Sequence, residues 1–133
     1  MLLGQGCAES SIWLSVVVYL ALDKQGQAMS NISEHYDNAV VVAPHIHTII
    51  HEDDKMRVLK VVVKPGDKAE MHWHPQNINY ILQPGTLQFT RPDGSTVDVE
   101  LSEGQVTSAT EGSHAVENIG DSVVETVQVE LKV

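Results

Sequence analysis

A chain of 133 residues with a single cysteine, Cys7, can close no internal disulfide and build no thiolate-based metal cluster. That fits a reducing compartment, and a cytoplasmic location is the expectation. Basic residues are also scarce: 8 Lys and Arg stand against 18 Asp and Glu, a formal charge of −10. Non-specific nucleic-acid binding draws on clustered Lys and Arg, so this balance argues against a nucleic-acid partner. Long apolar runs are missing too. The one candidate, Ser11 to Leu22, is about a dozen residues, against roughly 20 needed to span a bilayer, so no membrane partner is expected. A secretory signal would need a positively charged start, and the residues before Ser11 include no Lys or Arg. Residues 1–30 are therefore read as an N-terminal extension: an added strand or helix, or an extended translation product with Met29 as the natural start.

With 42% hydrophobic residues the chain can bury a core, and its length suits one domain, taken as 31–133 with a polar lead-in to Val42. Short runs separated by turn signals fill that domain. Arg57 to Lys64 is rich in β-branched residues and stops at Pro65-Gly66-Asp67; Asn77 to Gln83 ends at Pro84-Gly85; Thr86 to Arg91 closes on Pro92-Asp93-Gly94, and Ser95 to Leu101 follows. From Val124 to Val133 apolar and polar residues alternate, which is the period of a half-buried strand. No convincing helical period occurs after Asp53. The fold class is all-β.

Seven histidines are many for this length, and neutral imidazole is the commonest metal ligand. His72 and His74, two apart in Glu70-Met71-His72-Trp73-His74-Pro75, share one face if they lie on a strand, with Trp73 on the other. His114 lies beyond two expected hairpins, and a closed antiparallel barrel can bring it to the same interior. The plainer alternative is a pair of exposed strand histidines, since a two-residue motif is weak by itself.

Two longer patterns sharpen the reading. Gly66, His72, His74, Ile78 and Gly85 keep every spacing of a motif G-x5-H-x-H-x3-E-x6-G, which resembles the first motif of the cupin superfamily. Gly104, Thr110, Gly112, His114 and Asn118 resemble the second, with Thr for Pro and one residue fewer before the histidine. The flanking strands resemble small single-domain cytoplasmic cupins, including those named after β-alanine degradation. The resemblance implies a cupin-type conical β-barrel, a double-stranded β-helix or jelly roll. It further implies one divalent metal ion, Fe, Ni, Zn, Mn or Cu, held by the residues matching His72, His74 and His114.

Ile78 stands where the motif carries a ligand glutamate. Three neutral imidazoles leave a divalent ion's charge unneutralised, which favours an anionic small-molecule substrate at open coordination positions. Ile78 and Tyr80 share parity and are expected to line the pocket. Asn79 is a third pocket candidate, although its parity turns it outward unless the strand is bulged. A second cluster, His45, His47 and His51, matches no cupin ligand position and is set aside as surface or edge strand, as is His35. No nucleophile elbow or phosphate-cradling glycine loop is present, and no catalytic residue is assigned. The expected function is that of a metal-dependent enzyme, with dioxygenase-like, lyase or isomerase chemistry. The alternative is a non-catalytic cupin that binds a small ligand or holds a structural ion. A homodimer is the expected assembly.

Overall fold

The computed structural model describes residues 32–132, so the expectations for Cys7, the Ser11 to Leu22 run, Met29 and Val133 lie outside the described residues. Nine strands carry the fold: β1 (His47–Glu52), β2 (Met56–Val63), β3 (Lys68–His74), β4 (Asn77–Gln83), β5 (Gly85–Thr90), β6 (Thr96–Leu101), β7 (Val106–Ala109), β8 (Gly112–Asn118) and β9 (Val124–Leu131). The all-β reading holds, and each run expected from composition is a strand to within a residue or two. Turn chemistry explains why they stop. Gly66 and Gly94 adopt φ of +80° and +86°, the left-handed region that only glycine enters without cost. Asp93 fixes the second turn by accepting hydrogen bonds from the backbone N and Oγ of Ser95.

The strands form two antiparallel sheets in the orders β1-β2-β9-β4-β7 and β3-β8-β5-β6. Strands adjacent in sequence fall in different sheets at every junction except β1/β2 and β5/β6, which gives the jelly-roll course. An apolar core including Leu59, Val63, Ile81, Leu87 and Val124 fills part of the space between the sheets. Gly85 is packed so tightly there that a Cβ would stand 2.5 Å from Val124 Cγ2. Asn118 ties the same region together: its Nδ2 donates to the carbonyls of Val63 and Ser122, and its Oδ1 accepts from the backbone N of Gly120.

Alternation along β9 has an unexpected sense. Thr126, Gln128 and Glu130 are buried, and Val127, Val129 and Leu131 are the more exposed set. On β4 the inward residues are Asn77 and Ile81 with Asn79 between them, and Ile78 and Tyr80 face out at 42% and 49% exposure. Register explains both: Asn77 pairs with Glu130, Asn79 with Gln128 and Ile81 with Thr126. The barrel turns polar side chains inward at one end, which a hydrophobic-inside rule does not anticipate.

A 3-10 turn (Ile32–Glu34) and one short helix, α1 (Ala39–Val42), precede the barrel. This lead-in packs on β3. The backbone N of Trp73 donates to the carbonyl of Asp37, and the His35 ring stacks on the Trp73 indole at 3.6 Å, so His35 is less bland than the sequence reading had it. Among the described residues no helix is long and apolar enough to cross a membrane.

Candidate metal centre

Four histidine rings meet inside the barrel. His72 and His74 project from the end of β3, His114 from β8 directly opposite His72 in the register, and His47 from the first position of β1. Ring centroids lie 4.7 Å apart for His72 and His74, 4.8 Å for His72 and His114, 5.1 Å for His74 and His114, and 5.1 Å for His47 and His72. His47, His72 and His74 are buried, and their ligating nitrogens lie within 4.8 Å of one another, a group that can hold a metal ion. A bulge makes this possible. Pairing of β3 with β8 shifts register between Ala69 and His72, so the inward face passes from Ala69 to His72 and leaves Met71 at the surface.

The hydrogen bonds around the rings assign their protons. The Nδ1 of His47 faces the carbonyl of Ala43 at 3.1 Å, that of His72 the carbonyl of Glu70 at 2.7 Å, and that of His74 the Glu130 carboxylate at 2.7 Å. A carbonyl oxygen can only accept, so His47 and His72 carry their protons on Nδ1. The Nε of Arg57 donates to the other Glu130 oxygen at 2.7 Å, which keeps that carboxylate an acceptor for His74 as well. The Nε2 atoms of His47 and His72 are then left with bare lone pairs, and the Nδ1 of His74 also lies 3.3 Å from the Nε2 of Gln128. The Nε2 atoms of His72 and His74 face each other at 2.9 Å, close enough to share a bound cation. A proton is disfavoured in that role. Burial, reinforced by the neighbouring histidines, pushes His47, His74 and His114 down to about 3, and burial lowers His72 also. The donor set fits a divalent ion, and each outer acceptor orients its ring as ligating histidines require.

Of the sequence-predicted residues, His72, His74 and His114 come together. Ile78 and Tyr80 do not join them: both point outward, which corrects the expectation that they line the pocket. Asn79 does border the cavity, along with Asn77, Gln128 and Thr126. The parity argument failed by one residue, because anchoring position 78 to the motif's glutamate turned the whole strand over. No carboxylate enters the site from β4, which carries no Asp or Glu and turns Asn77, Asn79 and Ile81 inward.

His47 is the residue that sequence reasoning missed. Its neighbours explain why: His45 is exposed with its Nε2 3.1 Å from the carbonyl of Lys68, and His51 is exposed on Asp53. Only the first residue of β1 reaches the interior, so two of the three histidines in the stretch are surface residues as expected and the third is not. Ile46 beside it is fully buried, but no local spacing marks His47 itself as inward.

No family model matches the chain, and no curated protein matches it by sequence. Solved structures do. A cupin domain from Bordetella pertussis is 26% identical with a TM-score of 0.62, over 66% of this chain and 93% of that one. A double-stranded β-helix protein from Klebsiella pneumoniae is 20% identical with a TM-score of 0.55, over 65% and 76%. An RmlC-like cupin from Methanocaldococcus jannaschii is 15% identical with a TM-score of 0.54, over 65% and 79%. The strand order and these likenesses show a cupin fold, and the Bordetella likeness supports cupin superfamily membership.

Proposed function

We propose that this cupin binds one divalent metal ion through His47, His72, His74 and His114 and acts on a small anionic molecule at that ion. The observation that carries the reading is the convergence of buried imidazoles, with the Nε2 atoms of His72 and His74 2.9 Å apart and their Nδ1 atoms facing Glu70 and Glu130. When bound, the ion would supply Lewis acidity or a site for activating oxygen. The protein's own part is to hold the rings, to leave the ion without a coordinating carboxylate, and to border it with the amides of Asn77, Asn79 and Gln128. Buried Glu130 does not offset the ion's charge, because Arg57 already neutralises it.

A second reading rests on the number of imidazoles. Four would complete a tetrahedral zinc shell, as structural sites do, whereas an ion of higher coordination number keeps positions open. Metal analysis of untagged protein, followed by anaerobic iron loading and an oxygen-uptake screen against diketones, thiols and carboxylic acids, separates the two. Metal-dependent turnover supports the enzyme. Tightly held zinc with no turnover supports the structural ion.

A further inference from the structure

The cavity that opens from the histidine cluster has two unlike walls. On one, β4 and β9 present Asn79 directly opposite Gln128, with Thr126 at the next inward position of β9. On the other, β5 and β6 present Phe89 opposite Val97 and Leu87 opposite Val99. Phe89 joins the halves, because its ring meets that of His114 edge-on at 5.1 Å.

Size and charge narrow what belongs there. The cavity volume is about 530 Å³, within the roughly 300–1,000 Å³ of small-molecule sites. An ion with its waters, or a two-carbon acid, would leave the Phe89 and valine wall unfilled. A molecule covered in hydroxyls would set polar groups against that wall with nothing to bond them. Apart from histidine, Arg91 and Glu111 are the charged side chains bordering the cavity among the described residues, and they offset each other. The occupant must therefore bring the negative charge that the ion lacks.

We propose that the cavity binds a monoanion with a hydrocarbon body, an aryl or branched-alkyl carboxylate, its anionic end toward the imidazoles and its body against Phe89, Val97 and Val99. This rests on the metal-centre reading and narrows its substrate class. Arg91 stands at the rim of the cavity with its Nη1 3.3 Å from Ser95 Oγ.

The test uses full-length protein loaded with Co(II), with metal content verified first, and titrates benzoate, 3-methylbutanoate, acetate and benzamide by the cobalt absorption spectrum and by thermal shift. Benzoate and 3-methylbutanoate are expected to bind at least tenfold more tightly than acetate, and benzamide not to perturb the spectrum. Val97 lies at the cavity edge, 38% exposed, where a polar residue is tolerated. Val97→Gln should bring the benzoate-to-acetate affinity ratio toward one. Acetate binding as tightly as benzoate, or benzamide competing with it, overturns the inference while the metal centre stands. A protein that retains no cobalt overturns the metal centre itself, and this inference with it.

Discussion

Glu130 lies directly between Arg57 and His74, its Oε2 2.7 Å from the guanidinium Nε and its Oε1 2.7 Å from the imidazole Nδ1, with all three side chains buried. Burial pushes the Glu130 carboxyl above its ordinary range and Arg57 works against that shift, so the pair is held together by mutual need. Glu130→Ala leaves Arg57 charged, buried and alone, and should cost about 3–5 kcal/mol in urea unfolding. Glu130→Gln keeps an acceptor for His74 but loses the charge that raises its basicity. Metal should then dissociate about 10–100-fold faster, as for other partners of ligating histidines. Unchanged dissociation from Glu130→Gln would reduce Glu130 to a packing residue.

Inward and outward positions on β4 make opposite predictions. Asn79→Glu adds a carboxylate to the cavity that His47, His74 and His114 also border, and should slow metal loss to a chelator. Ile78→Glu places the same charge on the outer face and should leave that rate unchanged. The reverse pattern would restore the parity expected from the motif.

Stability of the metal-free protein should depend on pH in a stated direction. Burial lowers His47, His74 and His114 from 6.5 to about 3, so between these values the unfolded chain binds more protons than the folded one. Stability is therefore full above pH 6.5 and falls as pH drops toward 3, by up to about 1.4 kcal/mol per pH unit for each histidine. Urea melts of chelator-treated protein at pH 7.5, 6.0 and 5.0 measure the slope. A flat profile would mean that the rings titrate freely and are not enclosed.

Gly85 and Asn118 hold the barrel together away from the histidines. Gly85→Ala forces a Cβ against the buried Val124 and should cost about 1–3 kcal/mol. Asn118→Ala strands the carbonyls of Val63 and Ser122 and should cost more, about 1–3 kcal/mol for each buried group left unpaired. Thermal melts of the metal-free variants check both, and a loss below 0.5 kcal/mol, roughly that of a surface change, would contradict the packing described.

Much of the barrel was legible because turns are written locally. Pro65-Gly66-Asp67 and Pro92-Asp93-Gly94 demand left-handed glycines, and the β-branched runs between turns have no competing helical period. Which face of a strand turns inward was not legible. On β9 Val127 and Val129 take the more exposed face and Gln128 and Glu130 face in, where Glu130 lies behind His74. His47 escaped for a related reason: its role depends on β1 pairing His47 with Val61, a contact between distant residues that no local spacing encodes.

The central claim is most directly tested by anomalous diffraction from crystals soaked in Co(II) or Zn(II). One strong peak is expected within about 2.0–2.2 Å of the Nε2 atoms of His47, His72 and His74, with His114 completing the group. A peak at His45 or His51 instead, or none among the buried rings at full metal loading, would contradict it.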